Sequence, residues 1–335
     1  MTAMQAGDSR GTAGRIGQIL LQNSSIVMLV ILIVASAMLS DAFLSRGNLF
    51  NLLRQLTPLL LISIGTLMVI NTGGIDLSVG AVAAAGGLAV AMLLPHLPFD
   101  GWFAVLAGTG VVLVFGGLLG AFNGALIAWF QLAPFVVTLA MMTIARGMTY
   151  MMSNGQPVRL PYELRSTEIL DAFGSSGMPG LTLPWPVVLS ILVIALFWFV
   201  MHRTVFGRMV LATGSNETAV RLAGIPHRRY IFAVYVICGA LAALAGLVVT
   251  SRTGVGTPIT GIGFELDAIA ACVIGGARLS GGKGTVINTV IGVLVLGLIG
   301  NIMNLMSVPS YPQQIIKGLI IVAAVMLQRF GRDKG

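Results

Sequence analysis

Residues Leu52 to Leu94 read LLRQLTPLLLISIGTLMVINTGGIDLSVGAVAAAGGLAVAMLL, two apolar runs parted by the polar, glycine-bearing stretch Asn71-Thr72-Gly73-Gly74-Ile75-Asp76-Leu77-Ser78. The first run, Leu52 to Ile70, approaches the roughly twenty apolar residues a helix needs to cross a bilayer. The second, Val79 to Leu94, is shorter and starts directly after the glycines, which marks it as an interrupted or partly re-entrant helix. A carboxylate between two such runs is costly in hydrocarbon. Asp76 therefore belongs at a helix start, in a cavity or among backbone amines.

The same pattern extends outward in both directions. Apolar windows of about twenty residues predict ten spans: Ile26–Leu44, Leu52–Ile70, Val79–Leu94, Phe103–Phe130, Phe135–Met152, Trp185–Met201, Tyr230–Thr250, Leu266–Ile274, Val286–Leu305 and Gln313–Leu327. The eighth is too short to cross unaided. Ala35-Ser36-Ala37 has the spacing of a signal-peptide cleavage site, but the apolar character continues past it and the run reads as a span. Composition agrees: only 9% of the 335 residues are charged and 56% are hydrophobic, with a mean hydropathy of +0.96, whereas soluble domains carry about 25% charge. Soluble enzyme, secreted scaffold and disordered chain are excluded. The expected fold is a single all-α polytopic membrane domain over residues 1–335.

The net charge of +8 does not point to nucleic acid, because the basic residues are scattered between apolar runs. Their placement reports topology. With ten spans and both termini on one side, twelve of the 19 basic residues fall on that side: Arg10, Arg15, Arg203, Arg208, Arg221, Arg228, Arg229, Arg278, Lys283, Arg329, Arg332 and Lys334. Arg46, Arg54, Arg159, Arg165 and Arg252 fall on the other, and Arg146 and Lys317 within spans. The positive-inside bias makes the termini, including residues 1–25, cytoplasmic. Residues 153–184 then form an outer loop that suits docking or capping. Residues 202–229 form a basic inner loop, long enough for two short helices broken at Gly214 and at Gly224-Ile225-Pro226. On its own terms that loop is either a connector or a surface for a partner.

Gly74-Ile75-Asp76-Leu77 overlays Gly263-Phe264-Glu265-Leu266 at an offset of 189 residues, which also pairs Ala81 with Ala270, Gly86 with Gly275 and Gly87 with Gly276. A weaker match sets Gly117 and Asn123 against Gly282 and Asn288. In the ten-span topology the two copies enter the membrane from opposite sides, which predicts an inverted repeat with interrupted helices, the pattern of transport proteins. The residues expected to shape the path or its gate are Asn71, Asp76, Ser78, Asn123, Glu265, Asp267, Asn288 and Asn301. For the carboxylates, helix capping helped by Ser78, a proton or cation relay, and shaping of the path all stay open. For any one of the amides, interhelical bonding is the plainer role. Arg146 and Lys317 are expected to snorkel outward, and Gly116, Gly120 and Gly124 to serve helix packing.

No cofactor or metal is implied. Gly281-Gly282-Lys283-Gly284-Thr285 has Ala277 and Gly284 where a phosphate loop needs Gly and Ser or Thr. His96, His202 and His227 are far apart, and Cys238 and Cys272 lack spaced partners. Any ATP drive must come from elsewhere. A proton-coupled carrier is the rival, and it lacks a visible relay.

Several segments together resemble the permease subunits of bacterial ATP-binding-cassette sugar importers of the ribose, xylose, arabinose and galactose type, most of all the ribose permeases. They are Gly73 to Gly80, Arg146-Gly147 leading to Ser153-Asn154-Gly155-Gln156-Pro157-Val158, Gly207-Arg208 to Gly214-Ser215-Asn216-Glu217, and Gly224-Ile225. Glu265 to Ala271 through Gly275-Gly276, Ser280 to Gly284, and Tyr311 to Gly318 complete the set. Gly65-Thr66-Leu67 and Ala277-Arg278-Leu279 depart from the usual pattern. The resemblance implies a homodimer in the bacterial inner membrane, a periplasmic sugar-binding protein outside and a cytoplasmic ATP-binding-cassette subunit inside. It also implies that residues 202–229 act as coupling helices, with Gly207, Arg208, Gly214, Asn216, Glu217, Arg221, Gly224 and Ile225 facing the ATPase.

Overall fold

The computed structural model describes residues 24–177 and 183–330. The terminal segments that carry Arg10, Arg15, Arg332 and Lys334 lie outside the described residues. Among the described residues the chain is almost wholly helical: α1 (Ser24–Leu39), α2 (Arg46–Asn71), α3 (Val79–Leu93), α4 (Trp102–Ala128), α5 (Pro134–Ser153), α6 (Arg165–Ser175) and α7 (Trp185–Arg203) form the first part. They are followed by α8 (Val205–Ser215), α9 (Glu217–Leu222), α10 (His227–Thr253), α11 (Phe264–Ile274), α12 (Val286–Leu305) and α13 (Ser310–Phe330). Among the described residues one sheet is formed, pairing β1 (Val158–Arg159) antiparallel with β2 (Val255–Gly256).

Seven described helices, α2 to α5, α7, α10 and α12, are long and apolar enough to cross a membrane, α3 with the 3-10 turn that extends it to His96. The chain is therefore a multi-pass helical membrane protein. The remaining three expected spans coincide with α1, α11 and α13, which fall outside that set. α11 has eleven residues, about 16 Å at 1.5 Å per residue.

Helix α10 lies at the centre, and glycines explain how three helices reach it. A methyl group on Gly65 of α2 would stand 2.9 Å from the Cys238 Cα, one on Gly86 of α3 2.5 Å from the Ala243 carbonyl, and one on Gly124 of α4 3.0 Å from the Phe232 carbonyl. Gly116 and Gly120 likewise abut the α10 backbone at Gly239 and Tyr235, so the expected packing role holds. The opposite face of α4 carries exposed Val114, Leu118 and Phe122, which is the apolar side a bilayer solvates. In α2 every residue from Leu56 to Asn71 is buried. Pro58 removes one rung of that helix, and beside it the Ser190 hydroxyl of α7 donates to Thr57 Oγ1 at 3.0 Å.

Loops gather at two ends. At one, Leu160 N donates to the Gly254 carbonyl at 2.9 Å, Gly174 of α6 abuts the Ser251 backbone, and the Asp100 carboxylate accepts from Arg165 N at 2.8 Å and Ser166 N at 2.9 Å. Residues 153–177 thus cap the end of α10. At the other end, α8 meets the last turn of α2 and the 278–284 turn. The inner loop breaks at Asn216 and Gly224; Gly214 is helical, contrary to expectation, and is small because α8 touches backbone there.

Candidate functional site

The interruption after α2 is buried. Gly73 takes φ +82°, a region that glycine enters freely, and residues 74–78 then run to α3 without regular secondary structure. Asp76, 1% exposed, accepts at Oδ1 from Ser78 N at 2.9 Å and from Ser78 Oγ at 2.6 Å. Asn123 Nδ2 of α4 donates to Ser78 Oγ at 3.1 Å. The Tyr235 hydroxyl of α10 donates to the Ile75 carbonyl at 3.3 Å, and a methyl on Gly74 would stand 2.5 Å from that hydroxyl. Ser78 therefore does not cap α3 with its side chain as expected; it serves Asp76. The Asn123 Oδ1 is buried without a partner.

The second acidic motif reaches the first. Gly263 adopts φ +86° and starts α11. A methyl on Gly80 of α3 would stand 2.5 Å from Glu265 Oε2 and would overlap the Gly261 carbonyl. The start of α11 and the preceding 257–263 loop thus lie on the first turn of α3. Two short helices begin inside the chain with their N-terminal ends together, the arrangement that offers donors and positive dipole ends to a polar solute.

Arg146 does not snorkel. Its Nη1 donates to the Pro258 carbonyl and, at 3.0 Å, to the Thr260 carbonyl, because loop carbonyls left unpaired at this depth are costlier than an inward arginine. Lys317 also turns inward, and its Nζ lies 2.9 Å from Asp267 Oδ2. Asp267 is thereby paired. Asn301 exchanges hydrogen bonds with Asn48 at 2.8 and 3.1 Å, so its amide joins α12 to α2 and is not free for a solute. Asn288 is exposed on α12 while Asn123 is fully buried, so the weaker match pairs unlike environments. Gly86 and Gly87 lie within α3, whereas Gly275 and Gly276 follow the end of α11.

In the 202–229 segment, Asn216 caps α9 by accepting from Ala219 N at 2.9 Å. Glu217 faces His227, not Arg221, with Oε1 3.3 Å from Nε2. Gly207 abuts the Met201 backbone, and Gly224, at φ +73°, turns the chain toward α10 with open space around it. Ile225 N closes that turn on the Val220 carbonyl at 3.2 Å. Arg208, Arg221 and Leu222 are exposed. A cleft of about 450 Å³ runs from Glu217 to Thr72, Gly73 and Gly74, with Gln131 and Tyr235 on its walls, so the 202–229 segment and the α2–α3 break share one space. Sequence reasoning missed Tyr235, Asn48 and His227. The available signal was a lone polar handle on an apolar helix, which implies a partner without identifying it.

Residues 48–325 match the family described as branched-chain amino acid transport system / permease component. The ribose import permease protein RbsC of Haemophilus influenzae is 39% identical over 94% of this chain and 95% of its own length. The D-allose transport system permease protein AlsC of Escherichia coli is 36% identical over 90% of each. The L-arabinose transport system permease protein AraH of Escherichia coli is 35% identical over 94% of this chain and 92% of its own. No solved structure matches the chain. A match over 278 residues and identities above one third along almost the whole length leave one conclusion: this chain belongs to the branched-chain amino acid transport system / permease component family.

Proposed function

We propose that this chain is the membrane-spanning permease subunit of an ATP-binding-cassette importer, forming the path for a neutral pentose or hexose. The observation that carries the reading is the identity, along nearly the full chain, to import permeases for three different monosaccharides. The subunit itself does no covalent chemistry. Its partners are a second copy of itself, a cytoplasmic cassette ATPase and a sugar-binding protein on the periplasmic side of the bacterial inner membrane. The exposed α8–α9 segment is the ATPase contact, and α1, α11 and α13 bring the spans to ten, with cytoplasmic termini. The acidic motifs before α3 and α11 head an inverted repeat whose short helices line the path. Support for that comes from the contact of Gly80 with Gly261 and Glu265.

Reconstitution tests the reading. The purified chain in liposomes hydrolyses no ATP and accumulates no D-ribose, D-allose or L-arabinose; adding the cassette ATPase and the binding protein yields both activities for one of them. Uptake by the lone chain on a proton gradient would overturn the assignment. Glu217→Arg removes the carboxylate at the 3.3 Å contact with His227, and it lowers uptake and ATPase co-purification while insertion is unchanged.

A further inference from the structure

The α8–α9 segment meets the α2–α3 break through backbone, and a third stretch is caught between them. Gly282 N donates to the Asn71 carbonyl at 3.0 Å, and Asn71 Nδ2 donates to the Gly284 carbonyl at 3.3 Å. A methyl on Gly214 of α8 would overlap the Asn71 carbonyl and stand 2.7 Å from Gly282 N. One on Gly281 would stand 2.8 Å from the Gly214 carbonyl and 2.9 Å from Gly73 N, and one on Gly282 would overlap Ser215 Oγ. The intervening turn is tight: Arg278 N donates to the Lys283 carbonyl at 2.8 Å and Gly281 N to the Arg278 carbonyl at 2.9 Å. Its two ends lead into α11 and α12, the latter capped by Thr285 Oγ1 on Asn288 N at 3.3 Å.

We propose that the Arg278–Gly284 turn is the joint that carries movement of the α8–α9 segment into the α2–α3 break and, through α11, to the Glu265 end of the path. The proposal rests on the permease reading and adds to it a part outside the inner loop. Its physical basis is stiffness. Three main chains touch with no rotatable side chain between them at Gly214, Gly281 and Gly73, so a shift of one cannot be absorbed by a rotamer change. Asn71 occupies the centre, accepting through its carbonyl and donating through its amide to the same turn. A turn needing glycine only for its own conformation would require positive φ but not these contacts. Gly276 is that case in the same connection, with φ +84° and nothing within 4 Å of an added methyl.

The comparison of Gly281→Ala with Gly276→Ala therefore separates a joint from a local turn. Both place alanine at similar positive φ, +89° and +84°. In the assembled transporter, with ATPase and binding protein in liposomes, sugar uptake per ATP hydrolysed is measured with D-ribose, then D-allose and L-arabinose. The expected result is a fall of about tenfold for Gly281→Ala and Gly214→Ala with the ATPase still co-purifying, while Gly276→Ala stays near the wild-type ratio. Should the glycine variants fail to insert, Asn71→Ala decides, since it adds no atom and loses only the bond to Gly284; it is expected to lower the ratio about threefold. Wild-type ratios for Gly281→Ala, Gly214→Ala and Asn71→Ala would overturn the joint while leaving the permease reading intact. A wild-type assembly that imports none of the three sugars would reject the permease reading, and the joint with it.

Discussion

Replacing Arg146 by methionine keeps most of the apolar stem but removes the guanidinium that holds the Pro258 and Thr260 carbonyls. Hydrogen bonds to a charged group contribute about 1.5–3 kcal/mol. Counting the two bonds conservatively as one, because a released carbonyl recovers water, the 257–263 loop loses about 1.5–3 kcal/mol against local opening, roughly a 10- to 150-fold shift. The shift can be read at Thr260, whose carbonyl accepts from Arg146 while the residue is only 9% exposed. A Thr260→Cys substitution leaves that carbonyl in place and adds a reporter thiol. The native Cys238 and Cys272 are fully buried, so alkylation by a maleimide in detergent reads the new cysteine alone. The Arg146→Met, Thr260→Cys double variant is expected to react roughly 10- to 150-fold faster than Thr260→Cys, with Arg146→Lys in between. A change of less than about twofold would refute the reasoning, since it would mean that contacts such as Gly261 on Gly80 hold the loop without the arginine.

Two further outcomes follow from the same contacts. Asn48→Leu and Asn301→Leu each orphan a partner amide and lower the thermal midpoint in detergent; the double variant costs less than the sum, with a coupling of about 0.6 kcal/mol and at most about 1.7. Strict additivity would exclude the reciprocal pair. Where residues 153–177 cap α10, hydrogen bonding from Ser166 and from the amides of Gly101 and Arg165 holds the Asp100 carboxyl well below the usual carboxylate range. A depressed folded-state value means that its contribution is present above the ordinary aspartate value of about 3.9 and is lost as pH falls from there toward the folded value. Hydrogen exchange at the Arg165 and Ser166 amides, corrected for intrinsic rate, is therefore flat above about pH 5 and accelerates below about pH 4, whereas Asp100→Ala exchanges fast at neutral pH. Equal protection in both proteins would remove Asp100 as the anchor of α6.

Helix positions were legible because hydropathy and helix formation obey the same constraint in a bilayer. The run Val286–Leu305 coincides with α12, and Val79 begins α3 as read. Where polar residues continue a helix past the hydrocarbon, the apolar window stops early: α2 begins at Arg46, with the Ser45 hydroxyl accepting from Asn48 N, and α10 begins at His227. Partner choice was not legible. The cost of burying Arg146 or Lys317 can be read from composition and suggests escape to the interface, but a loop carbonyl or a carboxylate supplied from more than forty residues away offers a cheaper solution. The same holds for Glu217, whose partner is fixed by the turn at Gly224 and not by helical spacing to Arg221.

The two acidic motifs sit differently on the backbone. Gly73 takes positive φ three residues before Asp76, which lies in the break ahead of α3, whereas Gly263 takes positive φ directly before α11 and Glu265 lies in the first turn of that helix; the first turns of the two helices touch. Asp76, however, is buried and accepts from Ser78, two residues away, with Asn123 behind that hydroxyl. Such a closed local network holds a break in one shape, because every alternative leaves a carboxylate unpaired at depth. Glu265 is half-buried beside Gly80, and the loop before it hangs on Arg146 of a different helix. Leaving the Asp76 shape strands a fully buried carboxylate, whereas leaving the Glu265 shape costs the Arg146 bonds to the loop before it, so the two breaks resist movement by different means.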